Sequence, residues 1–411
     1  MSRAERRPRR REPAGRTRAG ATRPAPPRAI ARSGGSVEGA ALAAIVLLAS
    51  LGVVMIYSAS APLALDATLS PYFTRHVAAI ALAVGVAAIA ARIPIRFWRG
   101  AALALWTLCV LLLVATLVAG VDVNGARRWL ELPGLAFRFQ PAEIAKWATL
   151  LALAAVLSRR RPRTPQLRDV ALPAALAAIP AALLLLQPDL GNAVLVLLGA
   201  GLMLFVAGTP LRFLVAGVLA GTTVFLLYVG RNAYALARWT GFLNPWETAQ
   251  GPGFQLVQSF AAFGHGGLFG VGLGDSRQKL FYLPEAHTDF ILSVVAEELG
   301  LVGVLVVLGA FAALLVAGTR IAMRARDPFA LLAAFGMTSL LTVPAAVNAA
   351  VVTGMLPTKG LPLPFLSYGR TSLVVCFAAV GVLLGAARAT RPARHVAGAE
   401  RRGVLAMGRV R

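Results

Sequence analysis

Ten long apolar runs dominate the chain, and short polar or charged segments separate them. As an α-helix, a run of about 20 apolar residues is long enough to cross the roughly 30 Å hydrocarbon core of a bilayer. The pattern therefore predicts an all-α polytopic membrane protein with about ten transmembrane helices. The predicted spans lie near residues 39–61, 75–91, 100–120, 141–158, 170–187, 189–208, 210–229, 289–317, 329–356 and 368–387.

The longest polar interruption lies between the seventh and eighth predicted spans, over residues 230–288. Within it, apolar side chains recur at helical spacing from Phe254 to Ala261, which predicts a short helix lying on the membrane surface. Glycines then become dense, which favours either close approach of backbone to backbone or plain loop flexibility, and both interpretations stay open. These glycines are Gly264, Gly266, Gly267, Gly270, Gly272 and Gly274.

The composition agrees with this pattern, because 58% of the 411 residues are hydrophobic and only 14% are charged. Cys109 and Cys376 stand alone within apolar runs, so the cysteines predict neither a disulfide framework nor a metal site. The chain has no Walker A sequence and no HExxH sequence. ATP-driven transport and zinc hydrolysis therefore have no local support.

The charge is strongly asymmetric, with a net charge of +24 and eleven arginines within residues 1–36. That segment has too few apolar residues to fold alone, and it is predicted to be a disordered basic tail that attracts anionic lipid rather than nucleic acid. A second basic tail covers residues 391–411. The positive-inside rule then places both tails in the cytoplasm, the membrane domain at 37–390 and the loop at 230–288 on the extracytoplasmic side.

Four ionisable residues lie a turn or more inside predicted spans: Glu143, Lys146, Glu297 and Glu298. Facing lipid, each would cost roughly 2.5–3.5 kcal/mol, or about 10 kcal/mol together, so we expect them to pair or to line a polar cavity. Glu143 and Lys146 are three residues apart on one helix face, which favours an ion pair. Glu297 and Glu298 lie about 12 Å below Asp289 along a helix, which predicts a polar cavity beneath that residue.

Asp289 is the strongest candidate for chemistry, because it stands at the edge of a predicted span, beside the long polar loop. Arg128, next to Trp129, would either hold a phosphate or anchor the chain at the membrane surface. Lys359 lies in a proline-rich loop at 354–372 and would either pair with a lipid phosphate or simply reach the surface. Asp189 precedes an apolar run and is expected to cap a helix.

Six motifs in this order are similar to those of the SEDS family, the shape, elongation, division and sporulation proteins. They lie within residues 124–372 and have the sequences NGARRW, FQPAEIAK, QPDLG, GLFGVGLGDSRQKLFYLPEAHTDFI, EELG and LPTKGLPLPFLSYG. The fourth motif resembles the division type more than the elongation type. Arg370 and Thr371 depart from the family pattern, which usually has a glycine and a serine at these positions.

The resemblance implies a peptidoglycan glycosyltransferase that polymerises lipid II, the undecaprenyl-diphosphate-linked disaccharide peptide, on the outer face of the cytoplasmic membrane. A class B penicillin-binding protein and other division proteins are the implied partners. Asp289 matches the family's essential acidic residue. Trp129 and Lys359 match motif positions that line the same outer cavity.

The mechanism expected from this resemblance uses Asp289 as general base on the acceptor's sugar 4-hydroxyl. The departing diphosphate would be met by Lys359 and Arg128, with Lys279, Ser367 or a divalent cation, Mg²⁺ or Mn²⁺, as further candidates. No cofactor is otherwise expected. A lipid II flippase, an elongation-type polymerase and a scaffold that only recruits the transpeptidase stay open as alternatives.

Overall fold

The computed structural model describes residues 33–63, 69–123, 126–131, 138–159, 166–279 and 283–390. The predicted tail at 391–411 and residues 1–32 of the first tail lie outside these ranges. The described part contains twelve α-helices. They are α1 (Ser33–Ser60), α2 (Pro71–Arg92), α3 (Ile95–Ala119), α4 (Pro141–Leu157), α5 (Leu167–Leu186), α6 (Leu190–Val206), α7 (Leu211–Arg231), α8 (Ala233–Leu243), α9 (Phe254–Gly266), α10 (Ile291–Arg324), α11 (Pro328–Val352) and α12 (Arg370–Ala389).

Eight of the described helices are long and apolar enough to cross a membrane. Helices α4 and α6 have 17 residues each and correspond to the two other predicted spans. The prediction of an all-α polytopic membrane protein is confirmed. The segment between the seventh and eighth predicted spans is not a simple loop, because it contains α8 and α9.

Helix α4 lies at the centre of the bundle, and nearly all of its side chains are buried. It packs between α3, α6, α11 and α12. In contrast, only 6% of the residues in the most apolar stretch of α7 are buried inside the protein, so α7 lies at the periphery. The two charged side chains of α4 are therefore enclosed by protein, as insertion costs require.

The short helix expected near residues 254–261 is present as α9, but its inner face differs from the prediction. Leu256, Ser259 and Ala262 are buried, whereas Phe254 is only half-buried. The Ser259 hydroxyl donates to the carbonyl of Val352 at 2.7 Å, so a polar residue is part of the packed face. The sequence pattern placed Ser259 on the polar face of the helix, because the sequence does not show that its hydroxyl has a buried hydrogen-bond partner.

Close backbone approach explains Gly266 and Gly270 among the dense glycines, whereas Gly264, Gly267 and Gly274 have open space where a Cβ would be. Helix α10 is broken at Gly300, which has φ +69°. The glycine segment packs into this break, where the backbone N–H of Leu301 donates to the carbonyl of Gly267 at 3.0 Å. A Cβ on Gly270 would lie 2.1 Å from the carbonyl oxygen of Glu298. No other residue fits such a contact.

A small antiparallel sheet follows α3, and the apolar pattern gave no indication of it. Its strands are β1 (Val121–Val123), β2 (Ala126–Glu131) and β3 (Arg138–Phe139), in the order β1-β2-β3. The sheet carries the last four residues of the NGARRW motif, Ala126 to Trp129, and leads directly into α4. It therefore presents Arg128 and Trp129 at the end of the bundle where α4 begins.

Candidate active site

Asp289 is the last polar residue of a tight turn that leads into α10. The turn is organised by Glu285, a non-glycine residue with φ +58°, whose carbonyl accepts from the N–H of Thr288 and of Asp289, both at 3.1 Å. The backbone N–H of Tyr368 donates to the carbonyl of His287 at 2.9 Å. The turn is therefore fixed both internally and by the proline-rich loop that it touches.

The proline-rich loop lies directly against the Asp289 carboxylate. The amide nitrogen of Asn348, a buried residue of α11, donates to the carbonyl of Asp289 at 2.7 Å and to that of Leu361 at 2.8 Å. A Cβ on Gly360 would lie 2.7 Å from Oδ2 of Asp289. Asn348 thus clamps the two segments together, and only glycine leaves space for the carboxylate.

Lys359, the residue before this glycine, extends over the start of α6. A Cβ on Gly191 would lie 3.4 Å from its Cδ atom, so the aliphatic part packs on that helix. Asp189 caps α6 as predicted. Its carboxylate accepts from the backbone N–H of Asn192 at 3.2 Å and from the side-chain amide nitrogen of Asn192 at 2.7 Å. The Lys359 ammonium lies close enough to feel the charge of Asp189.

Arg128 reaches from β2 to the turn between α5 and α6. Its Nε donates to the carbonyl of Gln187 at 3.4 Å, and its terminal nitrogen donates to the carbonyl of Pro188. Both acceptors are uncharged, so these bonds position the guanidinium without neutralising it. Trp129 follows on the same strand and is half-buried. Val121 of β1 pairs with Trp129 and Asp122 pairs with Arg127, so Arg128 is the extra residue of a β-bulge in β2.

The environment of the site gives Asp289 and Lys359 similar pKa values. Burial raises the pKa of Asp289 from 3.8 to about 7, the charge of Glu285 raises it further, and Arg238 and Arg128 oppose the rise. Burial lowers the pKa of Lys359 from 10.5 to about 7, Asp189 opposes the shift and the same two arginines add to it. Both groups therefore titrate near neutrality.

Arg238 of α8 is the site residue that the sequence did not reveal. Its charge acts on both Asp289 and Lys359, and its Nη1 donates to the carbonyl of Thr358 at 3.1 Å. In the sequence it stands beside Trp239 in a segment typical of an interfacial belt. The spacing of Tyr234 and Arg238, four residues apart, was the available signal for an arginine held on one helix face.

Lys279 was predicted to help receive the diphosphate, and the structure corrects this. Its ammonium is buried and donates to Oε1 of Glu298 and to the hydroxyl of Ser58, both at 3.0 Å. Glu298 lies nine residues beyond Asp289, which is roughly 13 Å along a helix. Lys279 thus neutralises a buried acid and holds its segment to α1.

Glu297 is occupied in a similar way by the segment that precedes Lys279. Its carboxylate accepts from the hydroxyl of Ser276 and, at 3.2 Å each, from the N–H groups of Arg277 and Gln278. The expectation that buried charges have partners is confirmed. The cavity predicted beneath Asp289 is not formed by Glu297 and Glu298, because this segment packs against both.

The remaining predicted polar residues have structural partners. Glu143 and Lys146 form the expected buried ion pair, at 2.7 Å. Ser367 is buried, and its hydroxyl accepts from the N–H of Leu363 at 2.7 Å, which closes a turn of the proline-rich loop. Thr371 accepts from the N–H of Gln140 at 3.2 Å, so this departure from the family pattern still supplies a hydroxyl.

No group of three or more His, Cys, Asp or Glu side chains in the described ranges is arranged to hold a metal ion. The site described above instead combines one acid that titrates near neutrality with three cationic side chains: Arg128, Arg238 and Lys359. Such a set can accept a proton from a hydroxyl and receive a departing anion.

Known proteins share both the sequence and the architecture of this chain. A family model described as "Cell cycle protein", covering FtsW, RodA and SpoVE, matches residues 40–392. The "Probable peptidoglycan glycosyltransferase FtsW" of Geobacter sulfurreducens is 44% identical over 344 residues, which are 82% of this chain and 92% of that protein. The "Stage V sporulation protein E" of Bacillus subtilis is 39% identical over 351 residues, 84% of this chain and 95% of that one.

Two solved structures are similar over most of their length. One is a chain described under "Structural coordination of polymerization and crosslinking by a peptidoglycan synthase complex", with a TM-score of 0.72 and 33% identity over 85% of this chain and 97% of that chain. The other is Thermus thermophilus RodA, with a TM-score of 0.65 and 31% identity over 89% of this chain and 100% of that chain. The chain belongs to the FtsW, RodA and SpoVE family of cell cycle proteins, in agreement with its motifs.

Proposed function

We propose that this membrane enzyme is a division-type peptidoglycan glycosyltransferase that polymerises lipid II, with Asp289 as its general base. Curated FtsW relatives named as peptidoglycan glycosyltransferases share 42–45% of its residues over most of its length. The observation that carries the assignment of Asp289 is its environment: the carboxyl has a pKa of about 7 and lies within the electrostatic reach of two arginines and two other acids.

In the proposed reaction, the Asp289 carboxylate removes the proton from the 4-hydroxyl of the acceptor sugar. The hydroxyl oxygen attacks the anomeric carbon of the donor, a new glycosidic bond forms, and the bond to the lipid diphosphate breaks. A single displacement of this kind inverts the anomeric carbon and needs no covalent intermediate. General-base catalysis typically contributes about 10² to 10⁴ in rate.

The diphosphate leaves with negative charge, and Lys359 and Arg128 are proposed to receive it. Arg128 is held by backbone carbonyls, which leaves its charge available to an anion. A guanidinium suits this purpose because its planar set of donors matches phosphate oxygens. A divalent cation bound to the diphosphate, Mg²⁺ or Mn²⁺, would also neutralise part of this charge. Strand synthesis measured with and without a chelator tests whether such a cation is needed.

The location and partner of the enzyme follow from the same function. We propose that the Asp289 end of the bundle faces outward and that both termini are cytoplasmic, as the distribution of positive charge indicates. A class B penicillin-binding protein is proposed as the partner. The similarity to a chain described as part of a peptidoglycan synthase complex supports it.

Two other functions are less well supported. A flippase needs polar groups that contact the moving headgroup, whereas the charges inside α4 and α10 contact each other or the 276–279 segment. A scaffold has no need for a carboxylate that titrates near neutrality.

The decisive experiment reconstitutes the purified protein with lipid II, with and without its transpeptidase, and measures glycan strands by gel. Strand synthesis supports the proposal. Movement of labelled lipid II across vesicles without any strand synthesis would favour the flippase. Normal cell division by an Asp289→Asn variant would favour the scaffold.

A further inference from the structure

The amphipathic helix α8 carries a charged side chain that the proposed reaction has not yet used. The helix is capped by Asn232, whose side-chain oxygen accepts from the N–H of Ala235 at 3.1 Å. Arg238 lies about one and a half turns into this helix, on the face that meets the proline-rich loop. Its partners there define its geometry closely.

Three contacts fix the Arg238 guanidinium. Its Nε donates to the hydroxyl of Tyr234 at 3.0 Å, and its central carbon lies 5.0 Å from the centre of that ring. Its Nη1 donates to the carbonyl of Thr358 at 3.1 Å. A guanidinium has five N–H donors, and these two bonds leave further donors on the same planar group. The side chain is thus held in place and still has N–H donors that can bind an anion.

The contact with Thr358 puts Arg238 next to the residues that the reaction is proposed to use. Thr358 directly precedes Lys359 and Gly360, and a Cβ on Gly360 would lie 2.7 Å from the Asp289 carboxylate. The charge of Arg238 is felt by both Asp289 and Lys359. A third cation at this place favours an anion with more than one negative charge, because several cations gathered together repel one another until an anion binds.

We infer that Arg238 is a substrate-binding residue that, together with Arg128 and Lys359, contacts the diphosphate of the lipid-linked donor. This inference rests on the proposed function, since a diphosphate-linked lipid is its substrate. It makes α8 part of the active site rather than a membrane anchor. It also gives the Arg238 contact with Thr358 a function, because the same side chain ties α8 to the loop that carries Lys359.

Measuring the affinity of the protein for lipid-linked phosphates tests the inference. The measurements are made in an Asp289→Asn variant, so that turnover does not affect the affinity. The probes are undecaprenyl diphosphate and undecaprenyl monophosphate in detergent micelles, with inorganic pyrophosphate as competitor. Arg238→Gln is expected to weaken diphosphate binding by about 10- to 100-fold, as for loss of a charge-assisted hydrogen bond, and monophosphate binding by much less. Competition by pyrophosphate is expected to weaken in parallel.

Two further variants keep the test clear. Arg238→Lys retains the charge but loses the planar donors, so it should bind diphosphate with intermediate affinity. Arg231→Gln removes an exposed arginine from the end of α7 and should bind both lipids as the parent does. Equal loss of both lipids in the Arg238 variants, or an unchanged preference for diphosphate, would overturn the inference. Absence of strand synthesis by the wild-type protein in the presence of its transpeptidase would instead refute the proposed function.

Discussion

At the scale of single residues, the two groups that titrate near neutrality predict a narrow pH optimum. Asp289 acts as a base only when deprotonated, so activity should rise as pH rises through about 7. Lys359 holds an anion only when protonated, so activity should fall as pH rises through the same range. Initial rates of strand synthesis between pH 5 and pH 9 are expected to give a bell-shaped profile.

Lys359→Arg separates the two limbs of this profile. An arginine stays protonated over the whole range, so the alkaline limb should flatten while the acid limb persists. The acid limb would then report Asp289 alone. An alkaline limb that is unchanged in Lys359→Arg would show that another group causes it.

Gly360 offers a second test at this scale, because it adjoins the reacting carboxylate. A Cβ at this position would lie 2.7 Å from Oδ2 of Asp289, so Gly360→Ala must displace the carboxylate. A misplacement of about 1 Å can cost about 10²-fold in rate, and we expect a loss of that size in kcat with little change in thermal stability. Strand synthesis and unfolding in detergent measure the two effects.

Gly369→Ala is the matched control, since Gly369 lies on the same loop. A Cβ on Gly369 would lie 3.5 Å from Cβ of Ser372, an ordinary van der Waals contact. It should retain most of the activity. If the two alanine variants were equally active, the close approach of the loop to Asp289 would not matter for the reaction.

The sequence revealed the acids and cations that lie in long motifs, such as Asp289, Lys359 and Arg128. It did not reveal Arg238, because a single arginine beside aromatic residues is typical of any interfacial segment. It misplaced Lys279, since the partner that neutralises it is brought near by folding. Pairing across the fold cannot be read from spacing along one segment.

At the scale of elements, the broken helix α10 organises the wall of the site. Its N-terminal part begins just after Asp289 and presents Glu297 and Glu298 to the segment at 271–279. The N–H of Val271 donates to the carbonyl of Glu297 at 2.9 Å, which satisfies a group freed by the break. Close packing at this break therefore requires glycine at Gly266, Gly270 and Gly300, because a Cβ on each would lie less than 3 Å from backbone atoms.

The buried pair of Lys279 and Glu298 predicts a strong and non-additive effect on stability. Lys279→Met leaves a buried acid unpaired and should lower the free energy of unfolding by about 3–5 kcal/mol. Combining it with Glu298→Gln should recover much of this loss, because no unpaired charge is left. Denaturant unfolding in detergent, arranged as a double-mutant cycle, measures the coupling.

The same variants test the revised assignment of Lys279. The folded fraction of Lys279→Met should keep a specific activity within a few-fold of wild type, and Arg277→Met, an exposed neighbour, should affect neither property. A large loss of turnover in fully folded Lys279→Met would restore Lys279 to the reaction.

The long apolar helices were predictable because each carries enough consecutive apolar residues to span a bilayer. The sheet of β1, β2 and β3 was not, since its strands have three, six and two residues and a mixed pattern. Helix α8 was missed for a similar reason, with only 11 residues. Short elements depend on what they pack against, and the sequence does not show this.

At the scale of the whole molecule, the site lies at the end of the bundle where α4, α6, α10 and α12 all begin. The sheet, the turn before α6, the turn before α10 and the proline-rich loop meet there through Arg128, Asn348 and the His287 backbone. Segments far apart in the chain thus build one surface. The membrane domain as a whole is needed to assemble it.

The proposed orientation predicts which side of the membrane this surface faces. Glu247→Cys lies in the exposed segment after α8, and Arg326→Cys lies in the turn between α10 and α11. A membrane-impermeant maleimide added to intact cells should label the first and not the second. Labelling of Arg326→Cys alone would reverse the orientation and place the site away from any extracytoplasmic substrate.

The central claim is that the Asp289 carboxylate removes a proton during glycan polymerisation, and strand synthesis from lipid II by a purified Asp289→Asn variant tests it most directly. The amide is nearly the same size but is not a base, so the rate should fall by at least about 10²-fold while the variant unfolds at the wild-type temperature or above it. Strand synthesis at a near wild-type rate by well-folded Asp289→Asn protein would contradict the claim.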